Sequence, residues 1–119
     1  LTEAAASVLN TVVERGDAID WLERRLAAPK AGHLHLIQNT VAWQYFPKAT
    51  QEHGLELLEA AGTRATADSP LAWLAMENDG DATGQVGAAI TLRIWPGDVT
   101  LHLGRADFHG RWVQWNYPV

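Results

Sequence analysis

Apolar residues recur at helical spacing in three segments of the chain. Residues 17–28 (DAIDWLERRLAA) place their large aliphatic side chains on one side of a helix, which ends before a proline. Residues 51–61 repeat this pattern, and Gly62 is predicted to cap their carboxyl end. The alanine-rich residues 2–9 predict the last part of another helix.

Other segments are apolar throughout or alternate with a period of two, which predicts β-strands. These predicted strands are residues 11–14, 34–38, 71–76, 88–95 and 99–103. Residues 71–76 (LAWLAM) are apolar on both faces, as in a central strand covered on both sides. In residues 88–95 (AAITLRIW) the isoleucines and the leucine are predicted to face the core, and Pro96-Gly97 predicts a type II turn.

The predicted order is β-α-β-α-β followed by a β-hairpin. Strands separated by helices imply parallel strands with right-handed crossovers, and the hairpin adds an antiparallel pair at one edge. We therefore expect an α/β fold in a single domain that spans residues 1–119. The last predicted segment, residues 107–115, is expected to be a loop and a short tail that packs its aromatic rings.

Composition and charge exclude several classes of protein. The net charge of −5 argues against a non-specific nucleic-acid binder and against binding to an anionic membrane. The absence of cysteine excludes disulfides and thiolate metal sites. No apolar run approaches the roughly 20 residues of a membrane span, so we predict a cytoplasmic protein. Six tryptophans in 119 residues predict large aromatic surfaces packed on the sheet.

A polar and aromatic cluster follows the predicted strand 34–38. Its members are Asn39, Thr40, Trp43, Gln44 and Tyr45. Ligands of α/β proteins bind beyond the carboxyl ends of strands, so these side chains are candidates for orienting a small polar molecule. The alternative is that Asn39 and Thr40 bond to the backbone at a turn. Both interpretations stay open on the sequence alone.

Histidines raise the question of a metal site. His33 and His35 are two residues apart in the predicted strand region, and His102 or Glu77 would supply a third ligand. No HExxH pattern is present, and ordinary hydrogen bonding near the start of a strand explains this pair equally simply. We favour the interpretation without a metal.

Three further polar residues have both a structural and a functional interpretation. Asp17 is placed either to cap a helix or to bind a ribose hydroxyl or an adenine amino group. His109 and Arg111 flank a glycine and suit either anion binding and proton transfer or a simple turn. No G-x-S-x-G elbow, cysteine nucleophile or glycine-rich phosphate loop is present.

Four stretches together resemble a known family. They are VERGDAIDWL (13–22), NTVAWQYFP (39–47), TADSPLAWLAME (66–77) and HGRWVQW (109–115). In order and spacing they resemble domain-of-unknown-function family 2332, a bacterial family without an established activity. The chain resembles only the carboxyl-terminal half of that family, so a fragment that lacks the first two strands is expected.

The family is in turn similar to Rossmann-like methyltransferases that use S-adenosylmethionine, which implies a mostly parallel sheet. This resemblance implies that Asp17, Asn39 and Thr40 bind the cofactor. Substrate binding is expected of the residues already singled out by their type and position, Trp43, Gln44, Tyr45, His109 and Arg111, and no metal is expected. Methyl transfer would belong to the intact protein, because the segment alone is expected to be inactive.

The resemblance has a further consequence for assembly, and it leaves a second function open. Without the two upstream strands, strand 11–14 lacks its usual neighbours, so a homodimer through an edge strand is expected. The competing hypothesis is a non-catalytic interaction or scaffold module, in which Trp112 and Trp115 form an exposed aromatic surface. A metal-dependent enzyme that uses His33, His35 and His102 is the third hypothesis.

Overall fold

The computed structural model describes residues 3, 12–80 and 86–118. Two α-helices, a short 3-10 helix and five strands occur in this part of the chain. In chain order they are α1 (Ala18–Leu26), β1 (His35–Thr40), the 3-10 helix (Trp43–Tyr45), α2 (Lys48–Arg64), β2 (Leu71–Glu77), β3 (Ala88–Trp95), β4 (Val99–Ala106) and β5 (Val113–Trp115). None of the helices in these residues is long and apolar enough to cross a membrane.

The five strands form one open sheet in the order β1-β2-β3-β4-β5. Only β1 and β2 are parallel, and α2 connects them, while the other three neighbouring pairs are antiparallel. The α/β prediction is therefore confirmed, but the expectation of a mostly parallel sheet is wrong for the described residues. Short connections after β2 allow each following strand to fold back on its neighbour, which gives a meander.

Helix α1 forms as the sequence predicts. Asp17 precedes it with extended backbone, and its Oδ1 accepts hydrogen bonds from the amides of Ile19 and Asp20 at 3.0 and 2.9 Å. This is the usual N-cap arrangement, typically contributing about 1 kcal/mol. Ile19, Leu22 and Leu26 share one face and are buried.

The core lies between the two helices and one face of the sheet. Leu22 of α1 and Leu58 of α2 pack with Ile37, Leu71 and Trp95 of the strands, and Leu58 is fully buried. Both helices therefore cover the sheet face to which β1 and β2 contribute their odd-numbered side chains.

The predicted end of the second helix is wrong. Helix α2 continues through Gly62 to Arg64, because Gly62 is not its cap but the surface on which Trp95 packs. A Cβ atom at residue 62 would lie 2.5 Å from the indole ring of Trp95. Gly54, which lowers the helix propensity of α2, likewise provides room for Trp43 and Ile19. Both glycines therefore serve close packing.

The predicted strand 11–14 does not form over residues 12–14, which carry no strand pairing. Val12 and Val13 are 81% and 92% exposed, so neither side chain is buried as a strand of the core would require. The predicted helix 2–9 lies outside the described residues, apart from Glu3.

The opposite face of the sheet differs from the prediction. In β3 the side chain of Trp95 is buried against the helices, whereas Ile90, Leu92 and Ile94 point to the other face and are half-buried. No helix among the described residues packs on that second face. The alternating pattern of β3 is confirmed, but the prediction of which face is buried against the helices is wrong. The ring of Trp95 lies on that face, and the aliphatic side chains lie on the other.

The tail forms a strand that the sequence did not predict. Residues Val113–Trp115 pair with the end of β4, close to Gly104, where a Cβ atom would collide with the carbonyl of Gln114. Trp115 is 54% exposed, so the expectation that the tail packs its aromatic rings is wrong for this residue, whereas the ring of Trp112, which is 38% exposed, lies against Gly87.

We predict that Gly62→Ala destabilises the fold even though it improves helix propensity by about 1 kcal/mol. The added methyl group would overlap the indole of Trp95, and such overpacking costs about 1–3 kcal/mol. Urea unfolding should show a lower midpoint than wild type. Gly16→Ala is the control, because nothing lies within 4 Å of its added Cβ. An equal or higher midpoint for Gly62→Ala would contradict the packing argument.

Candidate functional site

Three strands end at the same edge of the sheet. Strands β1, β2 and β4 run in one direction, because β1 is parallel to β2, and β4 is antiparallel to β3, the antiparallel neighbour of β2. Their last residues are Thr40, Glu77 and Ala106. Carboxyl edges of this kind are where α/β proteins place ligands.

The carboxylate of Glu77 organises this edge. It accepts hydrogen bonds from Asn39 Nδ2 at 3.0 Å and from the backbone amide of Gln44 at 3.1 Å. The amide of Ala42 donates to both carboxylate oxygens, at 2.9 and 3.1 Å. Asn39 in turn accepts a 2.6 Å hydrogen bond from Trp73 Nε1 through its Oδ1. One side chain thus connects two strands to the turn that follows β1.

The turn after β1 is held from both sides. Val41 has a φ of +47°, an uncommon value for a β-branched residue, and its amide donates to Met76 at 2.9 Å. Gln51 of α2 donates through Nε2 to the carbonyls of Trp43 and Phe46, each at 3.1 Å. The hydrogen bonds to the Glu77 carboxylate and those from the Gln51 side-chain amide together keep the 3-10 helix in a single position.

A cleft of about 340 Å³ lies between the start of α1, the end of β1 and this turn. Its volume is in the usual range of small-molecule sites. Its lining residues are Ala18, Ile19, Trp21, Leu22, Ile37, Gln38, Asn39, Thr40, Ala42, Trp43 and Phe46. The Trp43 ring is fixed by Phe46 and Trp73, at centroid distances of 5.7 and 5.1 Å. The walls are mainly apolar and aromatic, with polar groups along β1.

The structure brings only some of the predicted site residues to this cleft. Asn39, Thr40 and Trp43 line it, although Asn39 and Thr40 end β1 instead of following it. Gln44 is outside the lining, and its Oε1 accepts the amide of Asn78 at 2.7 Å. Tyr45 also lies outside the lining and is 73% exposed. Their predicted substrate contacts stay predictions.

Asp17 adjoins the cleft through its neighbour Ala18, which lines it. The Oδ1 atom of Asp17 is occupied by the helix cap described above, while Oδ2 makes no hydrogen bond with any described residue. Capping and ligand binding therefore involve different oxygens of this carboxylate, and the predicted cofactor contact stays a prediction.

His109 and Arg111 lie at the same edge but apart from the cleft. They are in the loop after β4, three strand spacings or about 14 Å from β1 across the sheet. Arg111 bonds to Asp107 through Nε at 3.1 Å, and the amides of His109 and Arg111 donate to the same carboxylate. Gly110 has a φ of +77°. This geometry agrees with the structural interpretation of His109 and Arg111, in which the two residues belong to a turn.

The Arg111 guanidinium, followed by the Arg111 and His109 amides, lowers the pKa of Asp107 to about 2. The carboxylate is therefore charged throughout the ordinary pH range and holds the loop between β4 and β5 in place. Both Arg111 and Asp107 are already committed to each other, which fits a structural ion pair.

The histidines do not converge. His33 precedes β1 and its Nδ1 lies 2.9 Å from the carbonyl of Ala31, while His35 is the first residue of β1. His102 is in β4, three strands away, and Glu77 is engaged by Asn39 and the turn. Within the described residues, no group of three or more His, Cys, Asp or Glu side chains could hold a metal ion. Burial and the nearby Arg25 charge lower the pKa of His35.

Sequence reasoning missed the central role of Glu77, which it considered only as a metal ligand. The signal was present, since a lone carboxylate ending an apolar strand needs donors, but those donors are backbone amides far along the chain. Trp73 was missed for the same reason, since Asn39 is far from it in sequence, whereas Gln51 was missed although it binds carbonyls of the preceding turn.

The family comparison covers nearly all of these elements. The family described as "Uncharacterized protein conserved in bacteria (DUF2332)" matches residues 1–115. The chain belongs to the DUF2332 family. No curated protein matches this DUF2332 chain, and no solved structure does. The expected family is thereby confirmed, and the edge with the Glu77 network lies within the matched region.

We predict that Glu77→Gln lowers the free energy of unfolding by about 2 kcal/mol, because an amide group would face backbone donors where an oxygen now accepts. Urea unfolding followed by tryptophan fluorescence measures the loss. The control is Glu59→Gln, which removes an exposed 3.5 Å ion pair with Arg93 and should cost under about 1 kcal/mol. Similar losses in both variants would contradict the role given to Glu77.

We predict that Asp107→Asn removes a stabilisation that depends on pH. The folded pKa of Asp107 lies below its ordinary value of 3.8, at about 2, so this stabilisation is complete above pH 4 and is lost as the pH falls towards 2. Unfolding midpoints of wild type and variant should differ at pH 6 and converge as the pH approaches about 2. A difference that stays constant over this range would exclude the ion pair as its source.

Proposed function

We propose that this DUF2332 chain binds a small molecule of the nucleoside type in the cleft at the carboxyl end of β1. The observation that carries the proposal is the combination of an aromatic wall, formed by Trp43 and Phe46, with polar groups of Asn39 and Thr40 along one side. A flat heterocycle buries its faces against aromatic and aliphatic side chains, while hydroxyl and amide groups orient its polar edge.

The rigidity of the cleft supports the same proposal. Asn39 is held by Trp73 and Glu77, and Trp43 is held by two neighbouring rings, so the lining is ordered before a ligand arrives. A preorganised site loses less conformational entropy on binding than a flexible one. The exposed Thr40 side chain makes no hydrogen bond with any described residue and is available to a ligand.

S-adenosylmethionine is the member of this ligand class that the family resemblance favours. If it is the cofactor, methyl transfer in the intact protein would depend mainly on proximity and alignment of the acceptor, which requires no catalytic triad. In this proposal Asp17, Asn39 and Thr40 contact the cofactor, and Trp43 contributes a face to the substrate. The protein is then an enzyme only together with the parts that complete the cofactor site.

The test is calorimetric titration of adenosine, S-adenosylmethionine and S-adenosylhomocysteine into the chain. We expect binding by at least one of them, and a loss of about tenfold or more in affinity for Ala42→Phe, whose ring would occupy the cleft. Ala27→Phe is the matched control, because Ala27 is exposed at the other end of α1 and outside the lining.

A second candidate function has its own observation. Trp112, Trp115 and Tyr117 are exposed together with Val113 around the edge strand β5, which suits a non-catalytic module that binds another polypeptide. The titration separates the two candidates. Equal affinities in Ala42→Phe and wild type would overturn the cleft, and the absence of binding by all three compounds would favour the interaction module.

A further inference from the structure

The cationic side chains of this acidic protein fall into two groups. Of its nine lysines and arginines, Arg93, Arg105 and Arg111 are in ion pairs with neighbouring carboxylates. Arg64 donates to the carbonyl of Leu26 at 3.0 Å. These four side chains are committed to the fold.

Three other arginines face solvent together. Arg15, Arg24 and Arg25 line a cleft of about 420 Å³ beside α1, and none of them makes an ion pair with any residue in the described part of the chain. Arg24 and Arg25 stand on the face of α1 that also carries Trp21, with Arg25 5.7 Å from the centre of the Trp21 ring. Among the described residues of this lining Glu14 is the one carboxylate, so positive charge predominates among them.

The positive region extends further along the same side of the molecule. Arg25 also lines a neighbouring cleft of about 350 Å³ with Lys30, His33 and His35. The Arg25 charge contributes to the lowered pKa of His35, so the two are close enough to interact. These cations make no ion pair with any described residue, and their concentration in a protein of net charge −5 creates a local electrostatic field that attracts anions.

This arginine cleft adjoins the site of the proposed function. Ala18 and Trp21 line both clefts, so one ligand can extend from the aromatic cleft across Trp21 to the arginines. The aromatic cleft suits a heterocycle, and guanidinium groups bind phosphate oxygens by paired hydrogen bonds. The aromatic cleft therefore suits the base of a nucleotide, and the arginine cleft suits its phosphate.

We infer that Arg15, Arg24 and Arg25 form a phosphate subsite, and that the ligand of the aromatic cleft is a phosphorylated nucleoside. This inference rests on the proposed function, because it takes the nucleoside position from it. The ordinary alternative is that Arg24 and Arg25 only complement the helix dipole at the end of α1. That role does not involve Arg15, which precedes the helix.

The experiment compares adenosine, ADP and S-adenosylmethionine by calorimetry on the whole chain. We expect ADP to bind about tenfold more tightly than adenosine, since charge-assisted hydrogen bonds to phosphate add to the contacts of the base. This advantage should shrink as sodium chloride rises from about 0.05 M to about 0.5 M, because salt screens exposed charges.

Substitutions of single arginines test whether these residues cause the tighter binding of ADP. Arg15→Gln and Arg24→Gln should each reduce the advantage of ADP while leaving the affinity for adenosine unchanged, and Arg24→Lys should retain part of it. Lys48→Gln is the control of equal charge change, because Lys48 is exposed at the start of α2 and lines neither cleft.

The outcomes distinguish this inference from the proposed function. Equal affinities for adenosine and ADP, or the same loss in Lys48→Gln, would overturn the phosphate subsite and leave nucleoside binding intact. Tighter binding of S-adenosylmethionine than of ADP would assign the arginines to a carboxylate and would likewise overturn it. Failure of both adenosine and ADP to bind would overturn the proposed function itself.

Discussion

The hydrogen bonds to the carboxylate of Glu77 are the interaction on which the carboxyl edge of the sheet depends. This one group binds Asn39 on the neighbouring strand and the amides of Ala42 and Gln44 in the following turn. Because hydrogen bonds to a charged carboxylate are stronger than those to a neutral acceptor, they favour this one position of the turn. The position of Trp43, and with it the shape of the aromatic cleft, follows from these contacts.

Packing at two glycines places the second helix relative to this edge. Gly54 admits the ring of Trp43 and the side chain of Ile19, so α2 lies close to the 3-10 helix and to α1 there. Gly62 admits the ring of Trp95, so α2 lies close to the sheet at this second position. A helix with larger side chains at these positions would stand further from these neighbours. The two glycines lower the helix propensity of α2, but they allow it to pack against two tryptophans, which explains why these glycines are buried.

Periodicity was sufficient to predict α1 with its Asp17 cap, the four long strands and the hairpin, because these depend on local pattern. It failed where long-range contacts decide. Gly62 resembles a helix cap until Trp95 is known to lie on it, and the buried side of β3 is set by that same ring. In the site, Asn39, Thr40 and Trp43 were recognised from their place after an apolar run. Glu77 was not, since folding alone brings its backbone donors near. The arginine cleft was also missed, although the described residues that line it all lie between positions 12 and 25.

The single parallel pair has a consequence for the order in which the molecule assembles. Strands β2, β3 and β4 are neighbours in sequence, separated by residues 78–87 and 96–98, whereas β1 reaches β2 only after the whole of α2 has crossed the sheet. Loop-closure entropy therefore favours the meander as the first structure to form, with β1 and α1 joining later. The aromatic cleft lies between α1, β1 and the turn that follows β1, so a ligand held there would tie these late elements to one another.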